Sequence, residues 1–427
     1  MKRINILVLL IDSLRADVSV GKQKRTITPF IDTLRNSGVT YTNAFSVATS
    51  TTPAVSSIMT GLYPPVHGVA GLMGYKLNKS CHTLAEILRE NGYHTYAFVT
   101  GPLLTETSLN RGFMEYHYRR NDSVYKSFGE QLSSRLKTMQ EPWFCFVHFW
   151  EVHTPRQVPF VLNHSDGLTI YEKAVSCLDM WLKENLLNKI DFEDTIVILT
   201  ADHGEKDSPL NDKLIVSKNF RRLDRFFHIK RRFMNFRKKY FINNKKGFLW
   251  FNHGYHLYEP LIKIPLIIVA KDKLIKASTR GDIVSQVDIF PTILELVDIK
   301  YPFDINGTSI VNEKMQEERG MYLEASNLEA NREGSFWLKG VRTPSWKYIV
   351  SAYNKHADGE LFNLKEDPAE SKNLVHKELA IKEKMGKLLK KIEHEMEDLK
   401  RDFSSENKMS EEEVKTMEKV LKELGYL

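Results

Sequence analysis

The chain has 427 residues, 42% hydrophobic and 27% charged, ordinary proportions for a globular protein with one large domain and a smaller one attached. Its three cysteines, Cys81, Cys145 and Cys177, lie far apart, which argues against a disulfide framework or a thiolate metal cluster and makes reduced, intracellular thiols the default. The net charge of +7 is concentrated: residues 206–246 hold 14 Lys and Arg against three Asp, so basicity belongs to one segment and not to the fold.

The first apolar run, "INILVLLI" at residues 4–11, ends at once in "DSLRAD". It is too short for a membrane span, which needs about 18–20 apolar residues, and no small-residue cleavage site follows it. It reads as a buried first strand, which points to the cytoplasm. Helix-period "TPFIDTLRNSG" comes next, then "TSTTPAVSSIMTGLYPPVHG" at residues 49–68, a helix whose mouth is crowded with hydroxyls. "TLAEILRENG" predicts a further helix, and β-branched runs at 93–100, 143–150, 195–200 and 264–270 predict strands. Between them "DGLTIYEKAVSCLDMWLKENL" and, later, "SQVDIFPTILELVD" carry helical periodicity. Near-continuous apolar strands alternating with amphipathic helices indicate an α/β fold with a mostly parallel sheet covered on both faces. After Tyr301 the texture changes to short strands in a meander, suited to a small antiparallel sheet. From about Ser371 the chain is charged and helical, and Ser410 with Glu413 forms a candidate capping box for a last helix ending at Gly425.

Ligands of such sheets collect beyond the carboxyl ends of the strands. Asp12 follows the first strand and Asp202-His203 follows the fourth, in "ILTADHGE"; both residue types bind divalent ions. The competing reading is a surface turn for Asp202-His203 and a helix N-cap for "DSLRAD". His148 and His153 flank Glu151 in "VHFWEVHTP", and His253 and His256 lie in "WFNHGYHLYEP". Imidazoles at strand ends suit metals and developing oxyanions alike, although a lone histidine is more often packed or solvated. In the 49–68 stretch, Thr51 at a helix N-terminus would sit where backbone N–H groups favour an anion. A hydroxyl becomes a useful nucleophile only beside a base or a metal. Without one, the stretch is a Thr/Ser-rich cap with Pro53 in the first turn.

In order, "NILVLLIDSLRAD", "GVTYTNAFSVATSTTPAVSSIMTGLYPPVHGV", "TLAEILRENGYHTYAFVTG", "FVHFWEVHTP", "ILTADHGE", "HGYHLYEPLIKIPLII", "SQVDIFPTILELVDI", "GVRTPSWKYI", "ELFNLKEDPAESKNL" and "LKELGYL" resemble the sulfatase family of the alkaline-phosphatase superfamily over nearly the whole chain. The resemblance implies an α/β sandwich around a large mostly parallel mixed sheet, with a small C-terminal antiparallel subdomain. It divides the chain into a catalytic domain at 1–310, a small subdomain at 311–375 and charged helices at 376–427. It further implies hydrolysis or transfer of sulfate and phosphate esters at a divalent ion, Zn, Mn, Ca or Mg. Asp12, Asp202 and His203 would be ligands, Thr51 the nucleophile and fourth ligand, and His153 and His253 substrate-contacting. In two-metal relatives a position like His253 holds a second ion. Two departures stand out. The family's Cys/Ser-x-Pro-x-Arg, whose first residue becomes formylglycine, is here Thr51-Thr52-Pro53-Ala54-Val55, and its Asp-Asp pair is Asp12-Ser13. An Asp–Thr–Asp–His set resembles instead the phosphodiesterases, phosphonate hydrolases and phospho-group transferases of the superfamily, where threonine attacks phosphorus. On that reading the hydroxyls beside Thr51 are caps.

Where the family needs only a modest loop, residues 206–250 form a basic insertion, with "NFRRLDRFFHIKRRFMNFRKKYF" interleaving apolar and cationic residues. Such a segment can lie on an anionic membrane through residues 218–246, dock a polyanionic glycan, close over the site as a lid, or simply join the core. No nucleic-acid partner is expected. The leading expectation is a metal-dependent ester hydrolase or transferase acting through Thr51 on an anionic, glycan- or lipid-linked phosphoester. The rivals are a sulfatase with unmodified threonine and a catalytically silent membrane- or glycan-binding module. No motif sets the oligomeric state.

Overall fold

The computed structural model describes residues 3–159, 167–206, 253–271, 274–311, 319–325, 337–354, 358–400 and 407–424. The basic segment 218–246, with nearly all of the insertion, lies outside the described residues. Eight strands form the main sheet: β1 (Asn5–Ile11), β2 (Val39–Phe45), β3 (His94–Val99), β4 (Glu115–Tyr118), β5 (Trp143–Phe149), β6 (Thr195–Thr200), β7 (Lys263–Val269) and β8 (Ser278–Ser285). Their order is β4-β3-β5-β1-β6-β7-β2-β8. Only β7 runs against the others, so the expected mostly parallel mixed sheet is what forms.

Sequence and position agree most closely in β1. It lies between β5 and β6 with all seven residues buried, and a strand covered on both faces has no reason to alternate polar and apolar residues. Helices cover the faces. Leu84–Glu90 and Ile170–Asn185 each start with a reciprocal capping box, Thr83 with Glu86 and Thr169 with Glu172, which satisfies two backbone donors that the helix cannot. The helix expected in the 49–68 stretch spans Thr51–Thr60 and is wholly buried; it stops at Gly61, whose φ of 69° suits glycine.

Topology carries the residues of interest to one edge. Parallel β1, β5 and β6 all end there, delivering Asp12, the 150–156 loop and Asp202-His203. Because β7 is antiparallel, its beginning lies at that same edge, so the segment from His253 to Ile262 arrives beside them. β2 also ends there and leads through Ser46 into the Thr51 helix.

The meander beyond Tyr301 forms a second sheet of β9 (Met321–Ala325), β10 (Leu338–Arg342), β11 (Trp346–Ser351) and β12 (Glu360–Asn363), antiparallel in the order β12-β11-β10-β9. It meets the large domain where the Glu324 N–H donates to the Val47 carbonyl at 2.8 Å. A long helix, Leu379–Lys400, packs on β10 and β11. The last described helix is Glu411–Leu424, opened by the expected box: Ser410 N–H to Glu413 at 2.6 Å and Glu413 N–H to Ser410 Oγ at 3.2 Å. The three cysteines are free and buried, and no helix among the described residues is long and apolar enough to cross a membrane.

Candidate active site

Asp12, Asp202 and His203 are fully buried and offer ligand atoms that all lie within 4.8 Å of one another. The His203 Nδ1–H donates to the Gly204 carbonyl at 2.8 Å, which leaves the Nε2 lone pair facing the acids, 3.4 Å from Asp202 Oδ2 and 4.0 Å from Asp12 Oδ1. A backbone acceptor behind a metal-binding imidazole fixes its tautomer in this way. Asp202 Oδ1 is held by the N–H groups of Ser13 and His203 at 2.9 and 2.8 Å; its Oδ2 and His203 Nε2 have no hydrogen-bond partner among the described residues. Two buried carboxylates, one with an unpartnered oxygen beside an unpartnered imidazole nitrogen, are costly to bury alone and fit a divalent cation well.

Electrostatics separates the two acids. Burial alone would raise the Asp12 carboxyl, but the imidazoles of His153, His148 and His203 outweigh it and hold Asp12 far below the ordinary carboxylate range. Asp202 moves the other way, raised by burial and by the Asp12 charge. His148 takes its place by register, opposite Leu10 across β5 and β1, and puts Nε2 3.4 Å from Asp12 Oδ2.

A second group of side chains lies against the first. The His253 ring stacks on His203 with centroids 4.3 Å apart, and His253 Nε2 is 3.4 Å from His153 Nε2. On the far side, His253 Nδ1 donates to Glu205 Oε2 at 3.3 Å. Burial would raise Glu205 and lower His253, but each charge favours the other: Glu205 falls to about 2 and His253 rises. Burial lowers His153 to about 4. Glu205 thus favours the charged form of His253, while burial favours the neutral form of His153.

Thr51 is buried at the first position of its helix, and its Oγ1 has no hydrogen-bond partner among the described residues. The connection leading to it is tied to the acids: the Ser46 hydroxyl lies 2.6 Å from the Asp202 carbonyl, which also accepts from Gln286 Nε2 at 2.6 Å. Ser50, the N-cap residue, makes no side-chain capping bond. The neighbouring hydroxyls are not caps either, contrary to the sequence reading. Thr52 donates to the Leu72 carbonyl at 2.8 Å, Ser56 to Thr52 at 2.8 Å and Thr60 to Ser56 at 2.7 Å. Buried Ser and Thr hydroxyls of a helix place their protons on nearby carbonyls, often that of residue i−4.

Residues 4–299 match the family model for sulfatases, and residues 247–422 match that for the C-terminal region of N-sulphoglucosamine sulphohydrolase. The chain belongs to the sulfatase family. It is 34% identical to an N-acetylgalactosamine-6-O-sulfatase of Bacteroides thetaiotaomicron over 96 residues, 21% of this chain and 19% of that protein. It is 23% identical to an arylsulfatase of Clostridium perfringens, with 95% of this chain and 97% of that one covered. The chain spans less than two thirds of the length of the first of these relatives. Among solved structures, a phosphonate monoester hydrolase of Agrobacterium radiobacter shares the fold with a TM-score of 0.69 at 16% identity, covering 92% of this chain and 96% of that one. Another, solved with its substrate D-glucosamine-2-N,6-O-disulfate, gives 0.68 at 16% identity, with 94% and 99% covered.

Within this sulfatase-family chain, Asp12, Asp202 and His203 come together, as do His153 and His253. Two participants, Ser13 and Glu205, escape a sequence reading. Ser13, noticed only as a missing carboxylate, donates from Oγ to Asp12 Oδ1 at 2.9 Å. Glu205 acts through a partner 48 positions away, which no local pattern encodes; His148, already a candidate imidazole in the sequence, meets Asp12 across 136 positions. Glu151 and His256 turn elsewhere: Glu151 is paired with Arg119 at 2.5 Å, and His256 Nε2 is 3.1 Å from Glu360 in β12.

Proposed function

We propose that this protein cleaves or transfers anionic phosphoesters with Thr51 as nucleophile, aided by a divalent ion held by Asp12, Asp202 and His203. The observations that carry the reading are the orphan ligand atoms on Asp202 and His203 and a buried Thr51 hydroxyl without a hydrogen-bond partner among the described residues, on the helix whose leading connection Ser46 ties to the Asp202 carbonyl. When bound, the ion lowers the pKa of an adjacent hydroxyl and offsets charge on the ester oxygens. Thr51 loses its proton to solvent as its Oγ1 forms a bond to phosphorus and the bond to the leaving oxygen breaks, and His253, whose charged form Glu205 favours, supplies that oxygen's proton. The start of the Thr51 helix, left without a side-chain cap, favours an anionic group placed there. Water or an alcohol then displaces Thr51. The Thr51–Val55 stretch lacks the Cys or Ser that formylglycine requires, and phosphorus chemistry occurs on this fold in the phosphonate monoester hydrolase neighbour.

A sulfate-ester reading is favoured by the sulfatase relatives and by the neighbour solved with a glucosamine disulfate. Rates on nitrophenyl sulfate, phosphate, phosphodiester and phosphonate, with Mn²⁺ or Zn²⁺ added, separate the two. The expected order puts a phosphorus ester first. Thr51→Ala is expected to lose at least about a thousandfold in kcat while binding the ion as before. Near-normal turnover by that variant removes Thr51 from the mechanism. Ion binding by the wild type also disposes of the silent-module alternative, for which a membrane or glycan contact through 218–246 would be the remaining role.

A further inference from the structure

The small C-terminal sheet presents an ion-pair cluster to the large domain. The Lys347 side chain in β11 is fully buried, with Nζ 3.1 Å from Glu259 Oε1 and 2.5 Å from Glu370 Oε1. Arg342 in β10 grips Glu259 with two bonds of 3.0 Å, and the Glu259 N–H donates to Glu370 Oε2 at 2.7 Å. Burial alone would raise the Glu259 carboxyl; Lys347 and Arg342 outweigh it and hold it at about 2. Two cations and two anions thus close on one short turn, Glu259–Ile262.

That turn is where the candidate active site is joined together. It follows the His253 segment and starts β7. The Leu261 carbonyl accepts the Gly204 N–H at 2.8 Å, and the Ile262 carbonyl accepts the Ser46 N–H at 2.8 Å. Gly204 is the residue whose own carbonyl fixes the His203 tautomer, and Ser46 begins the connection to Thr51. A Cβ at Gly204 would sit 2.1 Å from the Pro260 carbonyl, so the ligand loop and the turn approach as closely as glycine permits. Just upstream, Glu360 of β12 holds His256 and the Tyr258 hydroxyl, each at 3.1 Å.

We propose that Lys347 and Arg342 are positioning residues of the active centre: acting through Glu259, they fix the turn that sets His203, His253 and the entry to Thr51. The small sheet is then a working part of the site and not a stability appendage. The inference rests on the divalent-ion reading of the site, and ion affinity tests it apart from the choice of substrate.

The test compares Lys347→Met and Lys347→Arg with Leu361→Ala, which opens a cavity at a fully buried position of the same sheet without touching the cluster. Mn²⁺ affinity is measured by calorimetric titration and kcat and KM on the best nitrophenyl ester, well below every variant's unfolding midpoint. Lys347→Met is expected to weaken Mn²⁺ at least fivefold and lower kcat at least tenfold with KM little changed; Lys347→Arg restores most of both, and Leu361→Ala changes neither more than twofold. Arg342→Lys, which keeps the charge and loses the paired grip, gives an intermediate loss and serves if Lys347→Met does not fold. Wild-type values in Lys347→Met and Arg342→Lys, or equal losses in Leu361→Ala, overturn the proposal. If no ester is turned over by the wild type, the functional reading fails while the affinity comparison still decides this one.

Discussion

Ser13 occupies the position where a second carboxylate is usual in the family, and it does two jobs there. Its N–H orients Asp202 and its Oγ orients Asp12, while a φ of 62° places it in the left-handed region that a residue with a Cβ adopts at some cost. Its carbonyl is held by the Tyr171 hydroxyl at 2.7 Å. The backbone conformation is thus over-determined by its bonds, and the hydroxyl is the separable part. Ser13→Gly keeps the N–H and eases the φ, and removes only the donor to Asp12. Outer-shell donors of this kind typically govern about 10–100-fold in ion affinity. A loss of about tenfold in Mn²⁺ binding, with the melting temperature of the ion-free protein nearly unchanged, is the expected result; unaltered affinity shows that Asp12 needs no help from Ser13.

The Thr51 helix shows what an element can and cannot reveal before folding. Its existence, its limits near Thr51 and Gly61 and its candidate nucleophile were legible in the Pro53 start and the Thr60-Gly61 stop. Asp12 and Asp202 were legible for a similar reason, since each ends an uninterrupted apolar strand of a parallel sheet. By contrast β2, whose "VTYTNAF" is half polar, and the edge strands β4 and β8 carry no continuous apolar run, because edge or half-covered strands bury only some of their side chains. Glu205 stayed hidden because the fold, not nearness in sequence, brings His253 to it; His148 was legible as a candidate imidazole, but its meeting with Asp12 depends on the β1–β5 register. The same helix also buries His67 beneath it. His67 Nδ1 accepts the Val69 N–H at 3.1 Å and Nε2 lies 3.0 Å from Ser57 Oγ, so the ring is neutral, and burial lowers it to about 3. The unfolded chain binds a proton near pH 6.5 that the folded chain refuses. Stability from this group is therefore complete above about 6.5 and falls as the pH drops towards 3, by at most about 1.4 kcal/mol per pH unit for one proton. Urea unfolding at several pH values is expected to show a shallower acid loss for His67→Asn than for the wild type. Equal slopes assign the acid sensitivity to other groups.

At the scale of the molecule, the C-terminus closes over the region that begins at residue 51. The helix Glu411–Leu424 buries Met417 and Leu421 completely, in a cluster with Leu72, Met73, Leu104 and Met409. Asn407 Nδ2 donates to the Gly68 carbonyl at 2.7 Å, Met409 N–H to Gly74 at 3.1 Å, and Lys76 pairs with Glu413 at 3.0 Å. What this tail covers is the 68–76 loop, whose Leu72 carbonyl receives the Thr52 hydroxyl, one residue from Thr51. A chain of contacts thus runs from the Glu411–Leu424 helix to the residue beside Thr51, the proposed nucleophile. Deleting residues 401–427 removes that cover, and loss of two fully buried apolar side chains alone costs about 3–6 kcal/mol. Thr52→Val breaks the latch without disturbing the tail. Each change is expected to slow turnover several-fold in the folded protein. Because both act through one contact, the double variant should be little slower than the worse single, a coupling that a double-mutant cycle measures directly. If the two losses multiply instead, the tail stabilises the fold without reaching Thr51.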